Sequence, residues 1–392
     1  MKRVFLIVLD SFGIGALPDA KEYGDGDCNT LRSIASCSAY LTPNLQDLGL
    51  FNIDGVAAKE PVKKPLGAFA KMTEVSKGKD TTIGHWEIAG VISETPLPTY
   101  PDGFPPAIID RLEREFGRKV ICNQPYSGTA VIHDYGREHL ETGALIVYTS
   151  ADSVLQIAAH EEVVPLEDLY EYCKIARTVM HGEHAVGRII ARPFVGQYPH
   201  FERTANRHDF SLEPPQATIL DALAENNLHT IGIGKISDIF AGRGIHKHIP
   251  IQGNEDGMNQ TLQMLDADFE GLCFVNLVDF DMKYGHRNDV VGYAKAATAF
   301  DRQLGEFMQK MHEEDVLMIT ADHGCDPMYP TTDHTREYTP LLVYGKTIQE
   351  NVNLGVQPSF ACISATIADL FGIRFTTQGV SFLDKISKAK KA

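Results

Sequence analysis

The sequence predicts an α/β fold: a central, mostly parallel sheet flanked by helices, with a smaller α/β domain inserted into it. Three observations predict it: short uninterrupted apolar runs, helical periodicity between them, and two proline-dense stretches far apart in the chain. Strands buried on both faces of a parallel sheet read as continuous apolar runs, not as alternating ones. When such runs alternate with amphipathic helices, the helices cover the sheet.

The runs, in order, are Val4–Leu9, Leu145–Tyr148, Thr230–Ile233, Cys273–Leu277, Val316–Ile319 and Leu341–Tyr344. Helical spacing is clearest over 294–311, where Ala294, Ala297, Phe300, Leu304, Phe307, Met308 and Met311 fall on one face. Ala217–Leu223 and Ile363–Phe371 read the same way. In such sheets the chemistry collects at the carboxyl ends of the strands.

Pro96, Pro98, Pro101, Pro105 and Pro106 form the first proline-dense stretch, and Pro214-Pro215 the second. Proline favours extended connections, and domain boundaries commonly fall in them. Residues 95–214 are therefore expected to form an inserted cap domain, with 1–94 and 215–392 as the catalytic core. Surface loops within one large domain are the alternative reading.

The chain has 392 residues, 43% apolar and 22% charged, a balance that suits a folded protein with more than one core. Its net charge of −16 repels nucleic acid and anionic membrane, so neither is an expected partner. An anionic substrate binds such a protein only where metal ions or clustered Arg and Lys reverse the local sign. The seven cysteines are odd in number and contain no CxxC pair, so no disulfide framework or thiolate zinc site is indicated. Val4–Leu9 is too short for a signal-peptide core, and no stretch approaches the roughly 18 apolar residues of a membrane span. A cytoplasmic location is expected. The tail around Lys385, Lys388, Lys390 and Lys391 reads as a solvated end.

Polar residues that follow the apolar runs carry the chemistry. Val4–Leu9 ends in Asp10-Ser11, and Cys273–Leu277 leads to Asp281 and His286. Val316–Ile319 leads to Asp322-His323, with His334 a short way on. Singly, each has a bland reading: a strand-end Asp often caps a helix, and a lone His is often a satisfied core residue. Together, Asp10, Asp281, His286, Asp322, His323 and His334 supply mixed oxygen and nitrogen ligands at one sheet edge, enough for two ions. Such ligands without thiolate suit Mn²⁺, Zn²⁺ or Fe²⁺, and paired ions clamp the attacking and leaving oxygens of phosphoryl transfer.

A second feature is the segment Ser76–Glu87, where small and charged residues give way to a helix-like stretch. A threonine at that junction can cap the helix. Ligated to a metal, it can instead act as a nucleophile beside a helix N-terminus suited to phosphate. Spacing does not choose between these readings.

The phrases Asp10–Gly15, Gly78–Glu87, Tyr148–Val154, Asp279–His286, Thr320–Pro327 and Asp333–Tyr338 resemble those of prokaryotic phosphopentomutases, in the alkaline phosphatase superfamily. The resemblance runs from the first strand almost to the C-terminus. It implies an alkaline-phosphatase-like core, an inserted cap, two Mn²⁺ ions and a threonine that carries phosphate. By position, Thr81 matches the nucleophile, Asp10, Asp322 and His323 match ligands of one ion, and Asp281, His286 and His334 those of the other. Ser150, Asp152, Ile190 and Lys235 match positions lining the sugar-phosphate cleft. Arg188, Arg192, Arg203 and Arg207 fall in the inserted domain and at its exit, where guanidinium groups can hold a distal phosphate; ordinary surface charge is their other reading.

The implied reaction interconverts ribose 1-phosphate and ribose 5-phosphate, and the 2-deoxyribose equivalents, through a pentose 1,5-bisphosphate. Glucose 1,6-bisphosphate or the pentose bisphosphate would prime a dephosphorylated enzyme, and cap closure would exclude water. The rivals are a phosphatase or phosphodiesterase of the same superfamily, a cofactor-independent phosphoglycerate mutase, and a metal-stabilised binding module.

Overall fold

A computed structural model describes residues 2–150 and 152–388; Ala151, Lys390 and Lys391 lie outside them. The chain divides into two compact units, one made of 1–96 and 214–392 and the other of 97–213.

The strands of the first unit before the division are β1 (Arg3–Leu9) and β2 (Ala68–Met72). The second unit holds β3 (Val120–Pro125), β4 (Leu145–Thr149), β5 (Val154–His160), β6 (Arg188–Gln197), β7 (His200–Arg203) and β8 (His208–Ser211). The first unit resumes with β9 (His229–Ile233), β10 (Lys247–Ile249) and β11 (Gly271–Leu277). It ends with β12 (Val316–Thr320), β13 (Thr339–Tyr344) and β14 (Val352–Gln357).

In the first unit the strand order is β10-β9-β11-β1-β12-β13-β2-β14. β10, β9, β11, β1 and β12 run parallel, whereas β13 is antiparallel to both β12 and β2. Leu341–Tyr344 is thus a buried strand that reverses direction, and continuous apolar runs do not report direction. β1 explains its own composition: every residue from Arg3 to Leu9 is buried, with β11 on one side and β12 on the other. The helix Val290–Lys310 lays Tyr293, Ala294, Ala297, Phe300, Leu304 and Phe307 against this sheet. Phe307 meets Phe5 edge-on at 5.0 Å between centroids, a contact worth about 1 kcal/mol beyond area burial.

Register levels the functional edge. Leu9 lies opposite Leu277, and Val8 opposite Thr320, so β1, β11 and β12 stop together. The segments that leave these three strands therefore emerge side by side.

The second unit has its own sheet, ordered β3-β4-β5-β6-β7, with β8 also paired to β6. Leu145–Tyr148 belongs to it as β4, parallel to β3 and antiparallel to β5. The helices Pro106–Phe116 and Leu166–Val179 cover one face, burying Leu112, Phe116, Leu169, Cys173 and Ala176 against Leu145, Val147, Ile157 and Ile189. On the other face the helix Ala130–Thr142 packs Val131 and Ile132 with Ile146, Tyr148, Ala158 and Phe194.

The helix Thr81–Ile88 lies over the end of β12, and its approach depends on Gly84. A Cβ at that position would sit 2.3 Å from the backbone oxygen of Asp322. Backbone does not yield easily to such an overlap, so Gly84→Ala is expected to cost about 1–3 kcal/mol. Thermal unfolding reads this as a lowered midpoint; an unchanged midpoint would mean that the helix is not seated tightly on the strand end.

Candidate metal centre

Each ligand candidate emerges from the levelled edge. Asp10 follows β1 directly. A wide π-type turn, Phe280–Tyr284, follows β11 and carries Asp281, and the short helical turn Gly285–Arg287 carries His286. Asp322 and His323 follow β12. His334 is brought back to them because Gly324 and Thr335 bond reciprocally through their backbones, at 3.1 and 2.8 Å.

These six side chains form one contiguous cluster. His286 Nε2 lies 3.2 Å from Asp281 Oδ2, and His334 Nε2 lies 3.3 Å from Asp281 Oδ1. His323 Nε2 is 3.4 Å from both Asp10 Oδ1 and Asp322 Oδ2. The rings of His323 and His334 stack at 3.9 Å. Two sets bring single ligand atoms within 4.8 Å of one another: Asp281, His286 and His334; and Asp10, Asp281 and His323. The second set contains Asp281 where the family resemblance implies Asp322. Asp322 borders that set through His323.

The donor chemistry fits a divalent cation. Asp10 Oδ1, Asp281 Oδ1 and Asp322 Oδ2 are buried and accept no hydrogen bond among the described residues. A buried anionic oxygen left unpaired is costly, and a metal ion is a partner that removes the cost. The imidazoles are oriented for the same purpose. His286 Nδ1 donates to the Thr332 carbonyl at 2.6 Å, His323 Nδ1 to that of Gly324 at 2.9 Å, and His334 Nδ1 to that of Lys79 at 2.8 Å. Each bond fixes the tautomer and turns Nε2 toward the cluster, the usual support for a metal-ligating histidine.

The electrostatics agree. Burial works against ionising Asp281, yet the imidazoles of His334 and His286 outweigh it and hold the carboxyl well below the usual range. Asp322 is lowered against its burial by His323 and His85. Burial disfavours a charged His323, but Asp322, Asp10 and Asp281 raise it well above the ordinary imidazole value. The pocket draws positive charge inward.

Thr81 is the first residue of the helix Thr81–Ile88, and its Oγ1 lies 3.1 Å from His323 Nε2. The helix cap is Asp80, whose Oδ1 accepts from the N–H groups of Thr82 and Ile83 at 3.0 and 3.1 Å. Neither threonine therefore caps the helix, because the carboxylate before them takes both donors. Glu87 anchors the far end of that helix by accepting from the N–H groups of Val75, Ser76 and Phe360 and from Ser359 Oγ. Arg336, buried at 1% exposure, clamps the approach to Thr81. It donates to Glu74 Oε2 at 2.6 Å and to the carbonyls of Ser76 and Gly78 at 2.9 and 2.7 Å.

Several supporting groups carry no mark in the sequence that singles them out as functional. Asn276 Nδ2 donates to Asp10 Oδ2 at 2.8 Å from inside β11. His85, one helical turn beyond Thr81, lies 3.1 Å from Asp322 Oδ2. The Ser11 N–H donates to Asp322 Oδ1 at 3.1 Å, with Ser11 held at φ 70°. An asparagine inside a wholly buried strand was the available signal for the first, and the i to i+4 spacing from Thr81 for the second.

The remaining candidates divide between the units. Lys235, half-buried, follows β9 at the same carboxyl edge of the core sheet. Ser150, Asp152, Arg188, Ile190, Arg192, Arg203 and Arg207 all lie in the second unit. Ile190 is buried in β6, and Arg188 Nη2 donates to Asp152 Oδ2 at 3.2 Å. Arg207 makes a two-bonded pair with Asp209, both at 2.8 Å. Arg192 Nε donates to Gln156 Oε1 at 3.0 Å.

Comparison with known proteins gives a consistent result. A family profile described as the metalloenzyme superfamily matches residues 2–374. Phosphopentomutase from Lachnoclostridium phytofermentans is 59% identical over 389 residues, covering 99% of this chain and all of that protein. Phosphopentomutases from Carboxydothermus hydrogenoformans and Clostridium novyi are 56% and 54% identical over the same length, again covering 99% of this chain and all of theirs.

Removing a ligand and removing its support have different expected outcomes. His334→Ala should lose the ion held with Asp281 and His286, and turnover with it, with the far-ultraviolet circular dichroism unchanged, since the residue sits on a loop. Asn276→Ala removes a donor to Asp10 and should weaken metal retention by about 10–100-fold. Dialysis against graded chelator, followed by metal analysis, measures both. Full retention by His334→Ala would remove that residue from the ligand set.

Proposed function

The chain belongs to the phosphopentomutase family of the metalloenzyme superfamily, and from that premise we propose how its residues move a phosphoryl group between the 1- and 5-hydroxyls of ribose and 2-deoxyribose. Thr81 carries the phosphoryl group. In the forward half-reaction its Oγ–P bond breaks, a new bond forms to the free hydroxyl of the pentose phosphate, and the hydroxyl proton ends on Thr81 Oγ1. The resulting pentose 1,5-bisphosphate returns its other phosphoryl group to Thr81 and leaves as the isomeric monophosphate. Glucose 1,6-bisphosphate or the pentose bisphosphate primes a dephosphorylated chain.

The observation that carries this reading is the position of Thr81 Oγ1, 3.1 Å from His323 Nε2 and at the N-terminus of its helix. Asp10, Asp322 and His323 are proposed to hold one ion, and Asp281, His286 and His334 the other. Bound there, two divalent ions would supply a Lewis acid for the charge that spreads over the equatorial oxygens of the transferring group. Mn²⁺ is the proposed metal, supported by six oxygen and nitrogen donors with no thiolate among them. Asp80, which caps the helix, and Arg336, which holds the carbonyls of Ser76 and Gly78, keep Thr81 in place.

The 97–213 unit is proposed to act as the cap domain, with Ser150, Asp152, Arg188, Ile190, Arg192, Arg203 and Arg207 as sugar-phosphate contacts, joined by Lys235 of the core. A cytoplasmic location is supported by seven free cysteines, five of them buried. No helix among the described residues is long and apolar enough to cross a membrane.

Intact-protein mass spectrometry after priming with glucose 1,6-bisphosphate tests the assignment of the nucleophile. Thr81→Ala should lose both the added phosphate mass and ribose 1-phosphate formation while still binding metal. Thr82→Ala should keep the added mass, and because Asp80 supplies the cap, its stability should change by less than about 1 kcal/mol. Phosphate mapped to Thr82 in the Thr81→Ala protein would reverse the assignment.

A further inference from the structure

The segments that leave β1, β11 and β12 carry the three buried carboxylates, and one side chain beneath them connects all three. Tyr293 is wholly buried in the first turn of the helix Val290–Lys310. That turn is fixed in place, because Asp289, its cap, accepts from the Gly292 N–H at 2.8 Å. The Tyr293 ring stacks on Phe280, the residue before Asp281, with centroids 5.5 Å apart and an interplanar angle of 24°. Phe12, two residues beyond Asp10, meets the same ring edge-on at 6.3 Å, and Tyr284 lies tilted against it at 6.4 Å. At the polar end of the ring, Tyr293 Oη lies 3.1 Å from Ser11 Oγ, in hydrogen-bond contact.

Ser11 is the link to the segment after β12. It is wholly buried, and its φ of 70° lies in the left-handed region, which a residue with a Cβ disfavours. The conformation has a consequence for Asp322. The Ser11 N–H donates to Asp322 Oδ1 at 3.1 Å, which leaves Oδ2 3.4 Å from His323 Nε2. The Ser11 carbonyl accepts from the N–H groups of Gly13 and Cys325 at 2.9 and 3.2 Å. A left-handed serine persists only where its surroundings over-determine it. The cost of that conformation is comparable with the worth of one ordinary hydrogen bond, so each bond to Ser11 counts. Tyr293 supplies one of them from a packed helix, outside the loops that Ser11 orders. Burial, with Cys325, Asp281 and Asp10, holds the Tyr293 phenol well above its ordinary range against the bond to Ser11, so the hydroxyl keeps its proton.

We propose that Tyr293 is a positioning residue of the metal centre, whose hydroxyl holds Ser11 in the left-handed turn that aims its N–H at Asp322. The proposal rests on the two-ion reading and deepens it. Stacking on Phe280 anchors the phenol against the turn that carries Asp281, so the bond to Ser11 is made from a fixed point. Asp322 is assigned to the ion held with Asp10 and His323, and that ion is the one Tyr293 should affect. Because Tyr293 is wholly buried, its effect falls on ion affinity and on the rate of turnover, not on the binding of a sugar phosphate.

Four variants of the full-length chain test this: Tyr293→Phe, Ser11→Ala, Ser11→Gly, and Tyr293→Phe combined with Ser11→Ala. Each is loaded with Mn²⁺, titrated with graded chelator, and unfolded thermally with and without metal. Tyr293→Phe, which deletes one oxygen and keeps the ring, should weaken retention of one of the two ions roughly three- to tenfold, the effect of one hydrogen bond. It should lower kcat more than it raises KM for ribose 5-phosphate. Ser11→Ala should weaken retention at least as much, since it loses the hydroxyl and keeps the disfavoured conformation. Ser11→Gly should recover part of that loss, because glycine adopts a positive φ without steric cost. The double variant should be no worse than Ser11→Ala, since both changes break the same bond. A merely structural role gives another pattern: unfolding midpoints that fall equally with and without metal, and unchanged ion retention. That pattern in Tyr293→Phe, with Ser11→Gly no better than Ser11→Ala, overturns the proposal while leaving the two-ion reading intact. An unmodified chain that retained no Mn²⁺ would overturn the two-ion reading and the proposal with it.

Discussion

Three carboxylates, Asp10, Asp281 and Asp322, are buried at the carboxyl edge of one sheet, each with an oxygen that accepts no hydrogen bond among the described residues. Like charges in a poorly solvated corner repel, and burial denies them the water that would screen them. Much of the surrounding structure answers this constraint. Asn276 and His85 take up part of the charge from within the fold, and the backbone of Ser11 takes up another part. The remaining charge faces three imidazoles whose Nδ1 atoms are already committed to carbonyls. An arrangement this unfavourable without a cation makes the cation part of the fold's energetics as well as of its chemistry.

The same edge explains why the supporting network is dense. Glu337, pushed up to about 7 by burial, accepts from Thr30, Thr335 and the Gly15 N–H. It presses so closely on Gly13 and Gly324 that a Cβ at either would come within 2.4 Å. The loops that carry Asp10 and His323 are thereby pinned to one buried group. Arg336, on the same segment, does the equivalent for the approach to Thr81. The ligand candidates and Thr81 are thus held by adjacent side chains on the segment that also carries His334.

Much of this was legible in the sequence, for identifiable reasons. Buried parallel strands are continuous apolar runs, so β1, β9, β11 and β12 announced themselves, and the polar residues after three of them were the ligand candidates. The reversal at β13 was not legible, because burial on both faces leaves the same signature in either direction. In the second sheet β3, β7 and β8 escaped notice because none of their residues is fully buried, and the buried β5 and β6 because Gln156 and Arg192-Pro193 interrupt their apolar runs. The cap of the Thr81 helix was not legible because three adjacent residues, Asp80, Thr81 and Thr82, can all cap, and only the backbone decides among them. Asn276 and Arg336 were hidden because their roles depend on partners more than 250 residues away in the chain.

Metal content of the full-length chain, determined by plasma mass spectrometry after loading with Mn²⁺ and gel filtration, bears most directly on the claim that these carboxylates and imidazoles exist to hold paired cations. The expected value is about two ions per chain, the number a paired phosphoryl-transfer site requires. A chain that retained no more than a trace of metal, while folded and free of chelator, would contradict the account.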